Sequence, residues 1–173
     1  PVQHSGALDP NTSVVLGARG TGKSFWAGVL GDPATRQETA PAYPNLNLEK
    51  LRVRFGFTGI ARDGSVSRST LDALIPEGAE RAEGARFWRC VLLRALLAEL
   101  QETERGPTMA SLMREYADPE EWESACESAD DKFANIGDRV LVIFDALDGL
   151  AEDWSRLRSL IDSLLEVAWS VRG

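Results

Sequence analysis

Gly17-Ala18-Arg19-Gly20-Thr21-Gly22-Lys23-Ser24 is the stretch from which the rest of the chain is read. It fits the pattern G-x-x-x-x-G-K-[S/T], a phosphate-binding loop. Val14-Val15-Leu16 precedes it and Phe25-Trp26-Ala27-Gly28-Val29-Leu30 follows, which predicts the order strand, glycine loop, helix. Gly17, Gly20 and Gly22 give the backbone conformations closed to residues with a Cβ. The loop can then wrap an anion with its N–H groups turned inward, and the new helix adds its unpaired amides and positive dipole end. The expected nucleotide-binding set is Gly17, Ala18, Arg19, Gly20, Thr21, Gly22, Lys23, Ser24 and Phe25. Lys23 is expected to reach the β- and γ-phosphates, and the Ser24 hydroxyl to ligate Mg²⁺. The alternative is a glycine-rich turn that caps a helix and binds nothing.

Composition bounds the partners. The chain has 173 residues, enough for one domain with a substantial core. With 19 basic and 27 acidic residues it carries a formal charge of −8, and the basic face needed to bind nucleic acid or an anionic membrane is not evident. Residues 102–132 hold ten acidic residues against Arg105, Arg114 and Lys132, which reads as solvated helix faces or, alternatively, an acidic docking surface. Cys90 and Cys126 stand far apart in apolar helical contexts. They read as buried free thiols and point to a reducing, cytoplasmic setting. No apolar run approaches a membrane span, and there is no signal-peptide pattern. His4, the single histidine, is given no catalytic role.

Residues 1–12 read as irregular, and residues 34–50, with Pro41 and Pro44, as a connecting loop. Leu51-Arg52-Val53-Arg54-Phe55-Gly56-Phe57 alternates as a half-buried strand does. Asp63-Gly64-Ser65 marks a turn, and Ser69-Thr70-Leu71-Asp72 opens a short helix that Pro76 ends. Residues 82–101 predict a long, largely buried helix that Gly106-Pro107 breaks. Further helices are expected over 108–116, and from Asp118-Pro119 to a stop at Gly137 with Trp122, Cys126, Ala129, Phe133 and Ile136 on one stripe. The last helix, over about 151–171, is expected to pack on the sheet through Leu150, Trp154, Leu157, Ile161, Leu164, Ala168 and Val171. Arg156 and Arg158 read as a solvated face, with service as an arginine finger as the alternative.

Arg139-Val140-Leu141-Val142-Ile143-Phe144-Asp145-Ala146-Leu147-Asp148 reads as a strand buried on both faces of a parallel sheet, ending in acid. The C-terminal ends of such strands are where open α/β sheets bind ligands. Asp145 is therefore the expected Mg²⁺ ligand opposite Ser24, the Walker B role. Asp148 is the candidate that orients or deprotonates the attacking water; the competing reading is that it caps the helix after it.

GARGTGKS followed by VLVIFDALD resembles a P-loop NTPase of the class with an additional strand between the two Walker strands. The D-x-x-D ending and Gly149 resemble its AAA-like and signal-transducing, STAND-like branches, among them NACHT-like and other bacterial ATPases, some anti-phage. The resemblance implies an α/β fold: a three-layer sandwich with a mainly parallel sheet and a helical insertion between the Walker A and Walker B strands, residues 51–57 lying beside the first strand. It implies a single ATPase domain over 1–173, an incomplete piece of a longer chain whose sensor strand, arginine finger and lid would lie past Gly173. It implies Mg²⁺ and ATP, with a homo-oligomer or attached domains as partners. Typical AAA+ proteins place glutamate directly after the metal-binding aspartate; Ala146 stands here instead, which favours a slow switch over a motor. No N-K-x-D guanine signature is present, so ATP is preferred to GTP. The alternatives are a nucleotide-binding module without turnover and a small-molecule phosphotransferase.

Overall fold

The loop runs into helix as its glycines require. α2 (Lys23–Gly31) follows a short N-terminal helix, α1 (Ser5–Leu8), and begins from Gly22 in the left-handed region. The computed structural model describes residues 5–59, 62, 64–100 and 106–171. His4, Asp63 of the expected turn, residues 101–105 and residues 172–173 lie outside the described residues. Asp32 then does two jobs. It ends α2, and its carboxylate accepts the Thr35 N–H at 2.8 Å to start α3 (Pro33–Thr39), with proline in the first turn. Three 3₁₀ turns carry the chain on to Lys50, so the connecting loop expected over 34–50 is mostly helical.

β1 (Leu51–Phe57) pairs in parallel with β2 (Arg139–Phe144), from Leu51 opposite Arg139 to Phe55 opposite Ile143, with an irregularity before Phe57 meets Phe144. One face of this pair carries a small apolar cluster: Leu8, Leu30, Leu48 and Leu51, with Val53, Leu141 and Ile143 against it. On the other face Gly56 leaves room for the Phe144 ring, which a Cβ there would approach to 2.5 Å. That ring meets Trp88 edge-on at 5.7 Å.

The expected three-layer sandwich on a mainly parallel, many-stranded sheet does not form. The chain is 64% helical, with a two-stranded parallel sheet. The strand expected at residues 14–16 is absent: Val14, Val15 and Leu16 are 45%, 43% and 89% exposed. An extended segment with no neighbour leaves its N–H and C=O groups without a ladder, so it gains nothing by becoming a strand. For the same reason β2 is only half-buried rather than covered on both faces.

Among the described residues four helices lie between the two strands: α4 (Arg68–Leu74), α5 (Glu80–Leu100), α6 (Met109–Glu115) and α7 (Pro119–Ile136). Ser67, Thr108 and Asp118 cap α4, α6 and α7, and Gly137, at φ 79°, ends α7. On α7 the acids Glu120, Glu121, Glu123, Glu127, Asp130 and Asp131 are all exposed, while Trp122, Ala129 and Phe133 are buried. α8 (Trp154–Ser170) follows the turn after β2. Its packing differs from expectation: Leu157, Leu160, Leu164 and Val167 are buried, Trp154 is exposed, and the helix lies against α5 rather than the sheet. Gly84 is the cause. Its missing Cβ admits Ser163, whose Oγ would lie 2.5 Å from it, and Trp88 Nε1 then donates to the Leu160 carbonyl at 2.9 Å and Ser163 Oγ at 3.1 Å.

Candidate functional site

Each loop glycine has a measurable reason. Gly20 and Gly22 sit at φ 85° and 88°, where a Cβ is strained. Gly17 does not share that left-handed φ, but a Cβ there would lie 2.7 Å from Thr21 Oγ1. Thr21 closes the loop by donating both its N–H (3.3 Å) and its hydroxyl (2.9 Å) to the Ala18 carbonyl. Gly22 offers no side chain, so no side-chain cap satisfies the first turn of α2. Its positive end stays available to an anion.

Lys23 Nζ curls back to donate to the Gly17 carbonyl and, at 2.9 Å, to the Ala18 carbonyl. An ammonium inside its own loop is satisfied by neutral acceptors alone there. A phosphate oxygen offers a stronger, charge-assisted bond. Arg19 is exposed on the loop; Phe25, 65% exposed, stands edge-on to Trp26 at 5.1 Å.

The loop meets the end of β2. Ser24 Oγ donates to Asp145 Oδ1 at 3.1 Å across a separation of 121 residues. Asp145 is fixed by its own N–H, which donates to the Phe57 carbonyl at 2.9 Å, so β1 aims it. Two neighbouring ligands of an octahedral magnesium, each about 2.1 Å from the ion, lie about 2.9 Å apart. The Ser24–Asp145 spacing fits that edge, so these two oxygens are the pair that would hold the ion, with water and phosphate completing its shell.

Past Asp145 the chain turns sharply. Ala146 is left-handed at φ 55°, and a 3₁₀ turn over Leu147–Gly149 exposes Asp148. Asp148 does not cap α8; Asp153 does, accepting the Arg156 N–H at 2.8 Å. Asp148 instead lines a cleft of about 520 Å³ beyond the C-terminal ends of β1 and β2, together with Arg19, Thr58, Arg62 and Arg68. The sequence reading found Arg19 and Asp148 but missed the other three. Their position just after β1 is the signal that would have found them, since strand ends of a parallel pair are where ligands collect.

Arg156 is not solvated. It is largely buried, donating to Asp72 Oδ1 and the Ile75 carbonyl at 3.0 Å each, with Nε 3.5 Å from Glu80. Arg158 is exposed and pairs with Asp162 one turn on. Cys90 and Cys126 are free thiols; burial pushes them up to about 11 and about 12, which keeps both protonated and unreactive near neutrality. Among the described residues, no three His, Cys, Asp or Glu side chains converge on a metal site, and no helix is long and apolar enough to cross a membrane. The chain matches no protein-family model, no curated protein and no solved structure.

Proposed function

We propose that the protein binds Mg-ATP in the loop over residues 17–24 and hydrolyses it slowly, as a nucleotide-dependent switch within a larger assembly. The observation that carries this is the Ser24–Asp145 contact at 3.1 Å, which joins a glycine loop to a strand-end acid remote in sequence. In this reading the loop amides and the α2 N-terminus cradle the phosphates, with Lys23 leaving its carbonyls for the β- and γ-phosphates. Magnesium held at Ser24 and Asp145 supplies neutralisation of phosphate charge. Asp148, free of any capping duty and facing the cleft, orients the attacking water.

Calorimetric titration with Mg-ATP and a phosphate-release assay test the reading. Wild type is expected to bind and turn over slowly, Lys23→Ala to lose binding, and Asp148→Asn to bind normally but lose turnover. Absence of Mg-ATP binding by the wild-type protein sinks the proposal; unchanged turnover in Asp148→Asn removes only the role of that acid. A second reading, nucleotide binding without turnover, is favoured by Ala146, which puts a methyl group where a second acid would stand. Tight binding with no phosphate release from the wild type would select it.

A further inference from the structure

We propose that Arg62 is the arginine that meets the terminal phosphoryl group of the bound nucleotide, supplied from within the same chain. This rests on the Mg-ATP reading above. The cleft beside the loop holds Arg19, Arg62 and Arg68 against a single lining carboxylate, Asp148. Arg68 is already spoken for, 3.6 Å from Asp72 and 3.4 Å from Glu152. Among the described residues no carboxylate pairs with Arg62 or Arg19, although acids outnumber bases by 27 to 19. Arg62 and Arg19 therefore line this cleft with positive charge that no carboxylate among the described residues takes up.

The Arg62 head is stowed, not loose. It lies over the Phe55 ring, 4.2 Å from the centroid. Gly28 and Gly31 of α2 flank it: Cβ atoms there would stand at ordinary contact, 3.7 and 3.4 Å, from its terminal nitrogens, while the missing Cβ of Gly31 makes room for the Phe55 ring beneath it. Ser24, Gly28 and Gly31 follow the spacing that puts residues on one helix face. The guanidinium thus lies along the face that Ser24 heads, about 6–10 Å below it along the axis. A ring face holds a guanidinium weakly, whereas phosphate oxygens accept its planar fork through two charge-assisted bonds. The terminal phosphoryl group therefore draws Arg62 off the Phe55 ring.

There it does what an arginine supplied in cis does for phosphoryl transfer, stabilising charge on the phosphoryl oxygens as the bond to ADP breaks. The balance is unaltered: water oxygen bonds to the terminal phosphorus, the bridging bond breaks with its electron pair leaving on ADP, and the proton of water passes to Asp148 and then to solvent. Arg62 exchanges no proton.

The test compares wild type, Arg62→Ala and Arg62→Lys for affinity towards Mg-ADP alone and towards Mg-ADP with aluminium fluoride, which mimics the phosphoryl group in transfer. Arg62→Lys keeps the stem and the charge and guards against loss of fold. Both variants are expected to hold Mg-ADP within about twofold of wild type. Trapping of the fluoride complex and turnover are expected to fall by about 10²-fold or more in Arg62→Ala, with little recovery in Arg62→Lys, whose single ammonium cannot bridge two oxygens. Equal trapping in all three proteins overturns the assignment, as does a wild type that binds Mg-ADP but traps no fluoride complex. A wild type that binds no magnesium nucleotide fails at the earlier step, and the two failures are told apart by the Mg-ADP titration.

Discussion

Ala146 stands between the metal-binding candidate and the water-orienting one, in a conformation that costs an L-residue about 1–2 kcal/mol. Its carbonyl accepts the Gly149 N–H at 2.9 Å, which closes the turn that exposes Asp148. Gly59 faces it from the end of β1, where an added Cβ would come within 3.0 Å of the alanine methyl. The strain accompanies the turn that follows β2 and leaves Asp148 lining the cleft. Ala146→Gly is therefore expected to raise stability by about 0.5–1 kcal/mol, the relief of strain exceeding the extra chain entropy of glycine. The change in the urea midpoint measures it; a loss of stability would mean that the methyl contact with the β1 end outweighs the strain. Lys23 is held differently: its Nζ donates to the carbonyls of its own loop, so any anion that recruits it must replace those contacts.

At the scale of elements, Arg156 ties three helices. From α8 it reaches Asp72 on α4, the carbonyl of Ile75 just after α4, and Glu80 at the start of α5. Glu80 is buried, with its side chain 9% exposed, and it also accepts the Gly78 N–H at 3.1 Å. Removing the guanidinium strands that carboxylate, so Arg156→Ala is expected to cost about 3 kcal/mol of unfolding free energy. Arg158→Ala, which loses an exposed pair, is expected to change it by less than about 0.5 kcal/mol. Urea unfolding of the two variants side by side decides it: similar small losses would show that the α4–α5–α8 tie contributes little. The helices that packing confirmed were legible because Trp122 to Phe133 on α7, or Leu157 to Leu164 on α8, recur with helical period between caps such as Asp118 and Asp153. The loop and its meeting with Asp145 were legible because motif spacing encodes backbone geometry directly. What was not legible depended on tertiary neighbours. Val14, Val15 and Leu16 have strand composition but no strand beside them, residues 34–50 carry Pro41 and Pro44 yet fold largely into short helices once Asp32 caps α3, and α8 lies on α5, where Gly84 and Ser163 interlock.

Taken whole, the molecule has two apolar clusters of unequal size on either side of a two-stranded sheet. The larger gathers Phe57, Phe87, Trp88, Leu93, Leu112, Leu157 and Leu160 from β1 and the helices α5 to α8. The smaller rests on Leu8, Leu30, Leu48 and Leu51. α1, α2 and the three 3₁₀ turns before β1 contribute to the smaller one, and the loop leads into α2, so the proposed nucleotide site sits on the less anchored side. Local opening is easiest where few apolar side chains are buried, and ligand sites are drawn from that end of the range. Amide hydrogen exchange is expected to show residues 13–50 opening with a lower free energy than residues 84–97 and 157–167. Mg-ATP at a hundred times its dissociation constant is expected to stabilise its half by about 2.7 kcal/mol, slowing exchange there while leaving α5 and α8 near their own limit. The contrast matters more than the absolute rates. Ser24 at the start of α2 bonds Asp145 at the end of β2, so one carboxylate joins the two halves beside the proposed site. Asp145→Asn should then protect residues 13–50 less at equal nucleotide saturation. Uniform exchange across the chain, or protection that spreads equally to α5 and α8 on adding Mg-ATP, would show that the two clusters unfold as one unit and that the site lacks the separate stability a switch requires.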